Sequence, residues 1–117
     1  KLNFPYTYQQ LLINEISEDY TMGFPHQLGF RAGTSTPFKW FDLSTNRQTL
    51  LTIYPFVAMD VTLKNYLKLT PQQALEEIKR LKQTIKATNG TFITLFHQSN
   101  LNEDWAEWRK VYESIFE

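Results

Sequence analysis

The stretch from Thr70-Pro71-Gln72-Gln73-Ala74 through Thr88-Asn89-Gly90-Thr91-Phe92-Ile93-Thr94-Leu95-Phe96 decides the fold class, because it sets a helix and a strand end to end. Thr70 is a good N-cap, Pro71 suits the first helical position, and Gln73 can close a capping box. Ala74, Ile78, Leu81 and Ile85 recur at helical spacing and predict the buried face, with Glu76, Glu77, Lys79, Arg80 and Lys82 turned to water. Asn89-Gly90 ends the helix with a residue free to take the left-handed conformation. Residues 91–96 then form a β-branched and aromatic run whose only polar members are threonines, the pattern of a strand covered on both faces. Asn102 is placed to cap a last helix through Phe116, with Trp105, Trp108, Tyr112 and Ile115 as its apolar stripe. Helix, strand, helix in this order implies an α/β fold with parallel strands.

Working outward, the first half is less regular. Thr7 to Ile16 reads as a helix with Tyr8, Leu11, Leu12 and Ile16 inward. Asp19 to Gly23 and Leu28 to Arg31 read as short strands, and Leu50 to Met59 as a longer one that Pro55 bends or confines to an edge. Phe38 to Phe41 is expected to be extended and to run into a turn at Ser44-Thr45-Asn46. No internal repeat, low-complexity tract or linker divides the chain, so residues 1–117 are expected to form one domain.

Composition excludes several functions. Twelve basic residues balance twelve acidic ones, which leaves no electrostatic footprint for nucleic acid or an anionic membrane. No run of roughly 18 apolar residues could span a bilayer. Cysteine is absent, so disulfides and thiolate metal sites are excluded. A soluble protein is expected, and the composition does not fix its compartment.

Three polar residues fall where α/β folds place active groups, at the carboxyl ends of the expected strands. Arg31 follows Leu28-Gly29-Phe30, Asp60 closes the long apolar run, and His97 closes the run ending at Phe96. The surrounding residues carry a resemblance. Leu95-Phe96-His97 matches the Leu-x-His motif of polysaccharide deacetylases, the carbohydrate esterase family four hydrolases with a NodB-homology domain. The stretch from Gly29-Phe30-Arg31-Ala32-Gly33 to Pro37-Phe38 resembles that family's arginine motif, and residues 19–24 and 55–60 are similar to a bacterial branch of the superfamily. The likeness runs from about Asp19 to His97 and covers only the second half of that domain.

The resemblance implies a partial, distorted (β/α) barrel with parallel strands and flanking helices. It implies that a divalent metal, commonly zinc, holds the water that attacks an acetyl carbonyl on a polysaccharide or acetylated sugar. His97 would protonate the departing amine, Arg31 would orient an aspartate base, and Asp60 would hydrogen-bond and tune His97. Leu95 would line the acetyl pocket. Phe38 and Trp40 are candidates for sugar contact, whereas Trp105 and Trp108 fit the core by their spacing.

The departures from the family are informative too. Its first motif supplies an adjacent Asp pair and its second supplies two histidines four apart, but this chain has no Asp-Asp, and its only histidines are His26 and His97. The arginine motif is altered, with Gly33 where Pro is usual and Thr34 where an aromatic is usual. The expectation is therefore the carboxyl-terminal part of a larger hydrolytic domain, without a metal site of its own and inactive alone. The alternative is a non-catalytic carbohydrate-binding or scaffold module on a degenerate deacetylase fold. A βαβ sheet that starts at a helix would leave a strand edge unpaired, and a second copy of the chain could pair with it.

Overall fold

The computed structural model describes all residues, Lys1 to Glu117. It is a mixed α/β structure whose strands form two small sheets. In chain order it contains α1 (Tyr6–Ile13), β1 (Glu18–Asp19), β2 (Phe38–Asp42), β3 (Arg47–Ile53), β4 (Ala58–Met59), α2 (Pro71–Ala87), β5 (Thr94–Leu95) and α3 (Arg109–Ser114). A π-helical turn, Thr62–Tyr66, follows β4, and 3-10 turns at Gln98–Asn100 and Glu103–Trp108 lead from β5 into α3. The first sheet has the order β1-β3-β2, with β1 parallel and β2 antiparallel to β3. The second is the parallel pair β4-β5, in which Ala58 opposes Thr94 and Met59 opposes Leu95. No helix is long and apolar enough to cross a membrane.

α2 forms where its sequence predicts it, for the stated reasons. The Thr70 hydroxyl accepts from the Gln73 N–H at 3.3 Å, and the Gln73 side chain accepts from the Thr70 N–H at 2.9 Å. Such a cap contributes about 1 kcal/mol. Asn89 takes φ +52°, and the Gly90 N–H reaches back to the Ile85 carbonyl at 2.9 Å. A side chain at Gly90 would run into Ser35, so a glycine is required at this helix end for packing. Ala74, Ile78, Leu81 and Ile85 are all buried, together with Val57, Ala58, Leu63, Trp108 and Val111. Lys82 does not simply face water. Its ammonium donates to the Ser114 and Ile115 carbonyls at 3.2 and 3.0 Å, closing the end of α3.

The last helix is not continuous. Asn102 does cap it, accepting from the Asp104 N–H at 3.1 Å, but Trp105 leaves helical geometry and the first turns are 3-10. Past this kink Trp108 and Val111 are buried, Trp105 and Ile115 pack at the margin of the core, and Tyr112 is half-buried against Phe96.

The N-terminal half departs further from its sequence pattern. α1 ends at Ile13 and Glu15 takes φ +59°, which turns Ile16 outward (43% exposed) instead of inward. The strand expected over residues 19–23 is only the pair Glu18–Asp19. Leu28 to Arg31 is no strand. Gly29 sits at φ +108°, and the Gly33 N–H closes a turn onto the Phe30 carbonyl at 3.0 Å. Residues 50–59 split at Pro55 into the end of β3 and β4. The strand over 91–96 shrinks to Thr94–Leu95. The extended run at 38–41 is present as β2, and the turn before Arg47 places Asn46 at φ +52°. There Asp42 accepts from the Ser44 hydroxyl at 2.7 Å and the Ser44 N–H at 2.9 Å. The hydroxyl bond chiefly holds the Asp42 carboxyl below its ordinary range.

The segment between the sheets joins them. Tyr54 N–H donates to Asp19, Phe56 N–H to Met22 and Val57 N–H to Ile93, at 2.8, 3.0 and 2.9 Å. Residues 47–59 thus form one bent spine with a core on each side. The second core is Tyr8, Met22, Leu51 and Ile53. With two cores side by side, the radius of gyration is 15.7 Å, against roughly 13 Å for a compact domain of this length.

Candidate functional site

The parallel pairing of β4 and β5 brings their carboxyl ends together. Asp60 follows β4 directly, and His97 stands two residues past β5. The Asp60 carboxylate is wholly buried and accepts four hydrogen bonds, two on each oxygen. Oδ1 takes the Val61 N–H and His97 Nδ1, both at 2.7 Å. Oδ2 takes the His97 N–H at 2.8 Å and the Asn100 Nδ2 at 2.9 Å. A buried carboxylate is tolerable only when its lone pairs are met in this way.

With Asp60 as the acceptor, Nδ1 of His97 carries a proton, and Nε2 is the nitrogen left to act. The His97 side chain is 44% exposed while its partner is sealed, so the pair presents one reactive atom to solvent. An imidazole nitrogen can either give or take a proton, which suits Nε2 to proton transfer.

The elements around the pair are braced. Thr62, two residues beyond Asp60, is buried and donates its hydroxyl to the Pro25 carbonyl at 2.7 Å. That bond anchors the loop carrying His26, which is exposed. Lys64, in the same π-helical turn, lies 3.9 Å from the Trp105 ring centroid and donates to the Asp104 carbonyl at 3.2 Å. The turn after Asp60 is thereby tied to the segment after Asn100. Phe96 packs on Tyr112 at 5.5 Å and holds the end of β5 against α3.

The other candidates lie apart from this pair. Arg31 sits in a turn and not at a strand end, so the shared rim belongs to Asp60 and His97 only. Its guanidinium stands 5.3 Å from the Phe4 ring centroid and makes neither a hydrogen bond nor an ion pair with Asp60 or His97. It lies instead near Tyr8, whose phenol is pushed well above its ordinary value by burial first and then by the charge of Asp19. Leu95 is half-buried in β5 opposite Met59, next to the pair in sequence but not in hydrogen-bonding contact with it. Phe38 and Trp40 belong to the other core, packed against the Tyr8 cluster, with Trp40 edge-on to Tyr8 at 5.4 Å. Trp40 also lines a cavity of about 270 Å³ with Phe4, Pro5, Phe41, Asp42, Leu43 and Ser44.

The larger concavities are elsewhere. One of about 610 Å³ lies between residues 30–36 and the end of α2, and one of about 510 Å³ lies along residues 101–113. Neither is lined by His97 or Asp60. No three His, Asp or Glu side chains converge on a point where a cation could sit. The residues present do not fit a metal site by themselves. Comparison with protein-family models, curated proteins and solved structures found no match.

Asn100 was not among the residues singled out from sequence. Its only signal is a His-x-x-Asn spacing, which matters once a 3-10 turn folds the fourth residue back over the first.

Proposed function

We propose that this chain supplies the proton-donating half of a polysaccharide-deacetylase-like hydrolase, as part of a larger, distorted (β/α) barrel. The observation that carries the reading is the Asp60–His97 pair at the carboxyl ends of two adjacent parallel strands. Asp60 holds the Nδ1 proton and fixes the ring. Nε2, when protonated, gives its proton to the amine nitrogen as the bond from the acetyl carbon to that nitrogen breaks. A donor so placed contributes about 10²–10⁴-fold to a rate.

The divalent metal, zinc by the resemblance, would supply the activated water from ligands outside residues 1–117. Two further features support a part-domain. The molecule is elongated, and the N-terminal half leaves Leu43, Leu50 and Ile13 at 85%, 81% and 71% exposure. Such apolar surface suits burial against further structure, whether more of the same domain or a second copy.

The reading is tested by acetate release from an acetylated chito-oligosaccharide, using a parent chain that includes upstream sequence and added zinc. The expected outcome is turnover that falls about 10²-fold or more in His97→Ala. An unchanged rate in that variant contradicts the assignment.

One observation favours a second reading. The cavity beside Trp40 pairs aromatic faces with Asp42 and Ser44, a combination that suits a sugar ring. In a binding-only module, chito-oligosaccharide would bind this chain without hydrolysis, and Trp40→Ala would abolish the binding.

A further inference from the structure

Asp60 has a cradle with two N–H groups on each oxygen, and two of the four donors are main-chain groups fixed by the backbone. Val61 and His97 offer main-chain N–H groups, and His97 adds its ring. The fourth donor is a free side chain, the Asn100 amide. It reaches Oδ2 at 2.9 Å because the Asn100 N–H bonds the His97 carbonyl at 2.9 Å, closing the 3-10 turn. The residue that shares the carboxylate with His97 is therefore carried on the turn that His97 itself starts.

We infer that Asn100 is a positioning residue, whose amide locks the Asp60 carboxylate in the rotation that keeps Oδ1 on Nδ1 of His97. The physical reason lies in the aspartate's last torsion. Rotation about the bond to the carboxyl carbon is broad and roughly two-fold, so packing fixes it poorly and donors must fix it. Without Asn100, Oδ2 keeps only the His97 N–H. Oδ1 still holds the Val61 N–H and the ring, so the carboxylate is not released, but its rotation is less tightly held and Oδ1 spends more time away from Nδ1, which loosens the imidazole. Asn100 acts through Asp60 and touches no reacting atom. This inference rests on the proton-donor reading of His97 for its consequence, but its geometry can be tested without any substrate.

The test uses the 117-residue chain and proton NMR of the His97 Nδ1–H, with Asn100→Ala and the isosteric Asn100→Asp. Asn100→Asp keeps the shape but sets a second carboxylate against Asp60. Ser99→Ala, in the same turn but outside the cradle, is the control. The expected result is a resolved, slowly exchanging Nδ1–H in the unaltered protein and in Ser99→Ala. In both Asn100 variants its exchange should accelerate about tenfold or more, the worth of one hydrogen bond to a charged group, while the amides of Ile78 and Leu81 in α2 keep their protection. Exchange within twofold of the unaltered protein overturns the inference. So does acceleration matched by the α2 amides, which would mark a merely structural role. A parent chain that releases no acetate would instead remove the hydrolase reading and leave this result standing.

Discussion

The N-terminal half buries two aspartates at strand ends, Asp19 and Asp42, and the C-terminal half buries one, Asp60; Asp19 and Asp60, each bonded to a ring side chain, are used differently. Asp19, at the end of β1, accepts from the Tyr8 hydroxyl at 3.2 Å and from the Thr21 N–H and hydroxyl. Asp60, after β4, accepts from two main-chain N–H groups, an amide and an imidazole. Both carboxylates are satisfied, so burial alone does not separate them. What differs is the far end of each relay. Tyr8 is wholly buried and its phenol resists ionisation, which stops the first relay inside the core. His97 is half-exposed, so the second relay ends in solvent. A buried acid points to chemistry when its partner is both titratable and reachable. By that test the C-terminal half holds the site.

The sharpest break of this comparison comes from removing each carboxylate. Asp60→Ala strands the main-chain N–H groups of Val61 and His97 in a sealed position, and should cost about 3 kcal/mol of stability. Asp19→Ala strands chiefly the Tyr8 hydroxyl, because Thr21 is exposed and water can replace its partner, so about 1–2 kcal/mol is expected. Urea unfolding of the two variants side by side checks the order. Equal losses would mean that the cradle around Asp60 is not specially demanding.

A smaller effect isolates the N-terminal relay. The folded state raises the Tyr8 phenol above its ordinary value of 10.0, with burial the largest cause. The neutral phenol is therefore the form the fold favours. Its stabilisation is complete below that value and is lost as pH rises above it, because the unfolded chain sheds the proton first. Urea midpoints at about pH 9 and about pH 11 should fall further in the unaltered protein than in Tyr8→Phe. Parallel curves would show that Tyr8 ionises normally in the fold.

How much of this was legible in the sequence depended on whether the signal was local. α2 was legible from end to end because the Thr70 cap, the apolar spacing and the Asn89-Gly90 stop are all contained in the helix itself. The hairpin between Phe38 and Ile53 was half legible, since its first strand and turn showed but its second strand was fused with residues 54–59. The break at Pro55 depends on what lies on either side of it. There the spine leaves Asp19 and Met22 as partners and takes Ile93, a change of neighbours that a hydrophobic run cannot encode. Leu28 to Arg31 read as a strand because Leu28 and Phe30 alternate, yet both simply pack on the second-half core from a turn. At the site, Asp60 and His97 could be named individually from their places after apolar runs. Asn100 could not, because its role exists only once the 3-10 turn has formed. Arg31 was placed with them on a strand that does not exist.

His97 keeps its proton on Nδ1, facing Asp60, and offers Nε2 to solvent. Nitrogen-15 NMR of the imidazole tests this most directly, on this chain and on Asp60→Asn. The account predicts the Nδ1–H tautomer for the neutral ring in the unaltered protein. It predicts loss of that preference in Asp60→Asn, whose amide can set a donor where the ring needs an acceptor. A neutral ring protonated on Nε2 in the unaltered protein, or a preference untouched by Asp60→Asn, would contradict it.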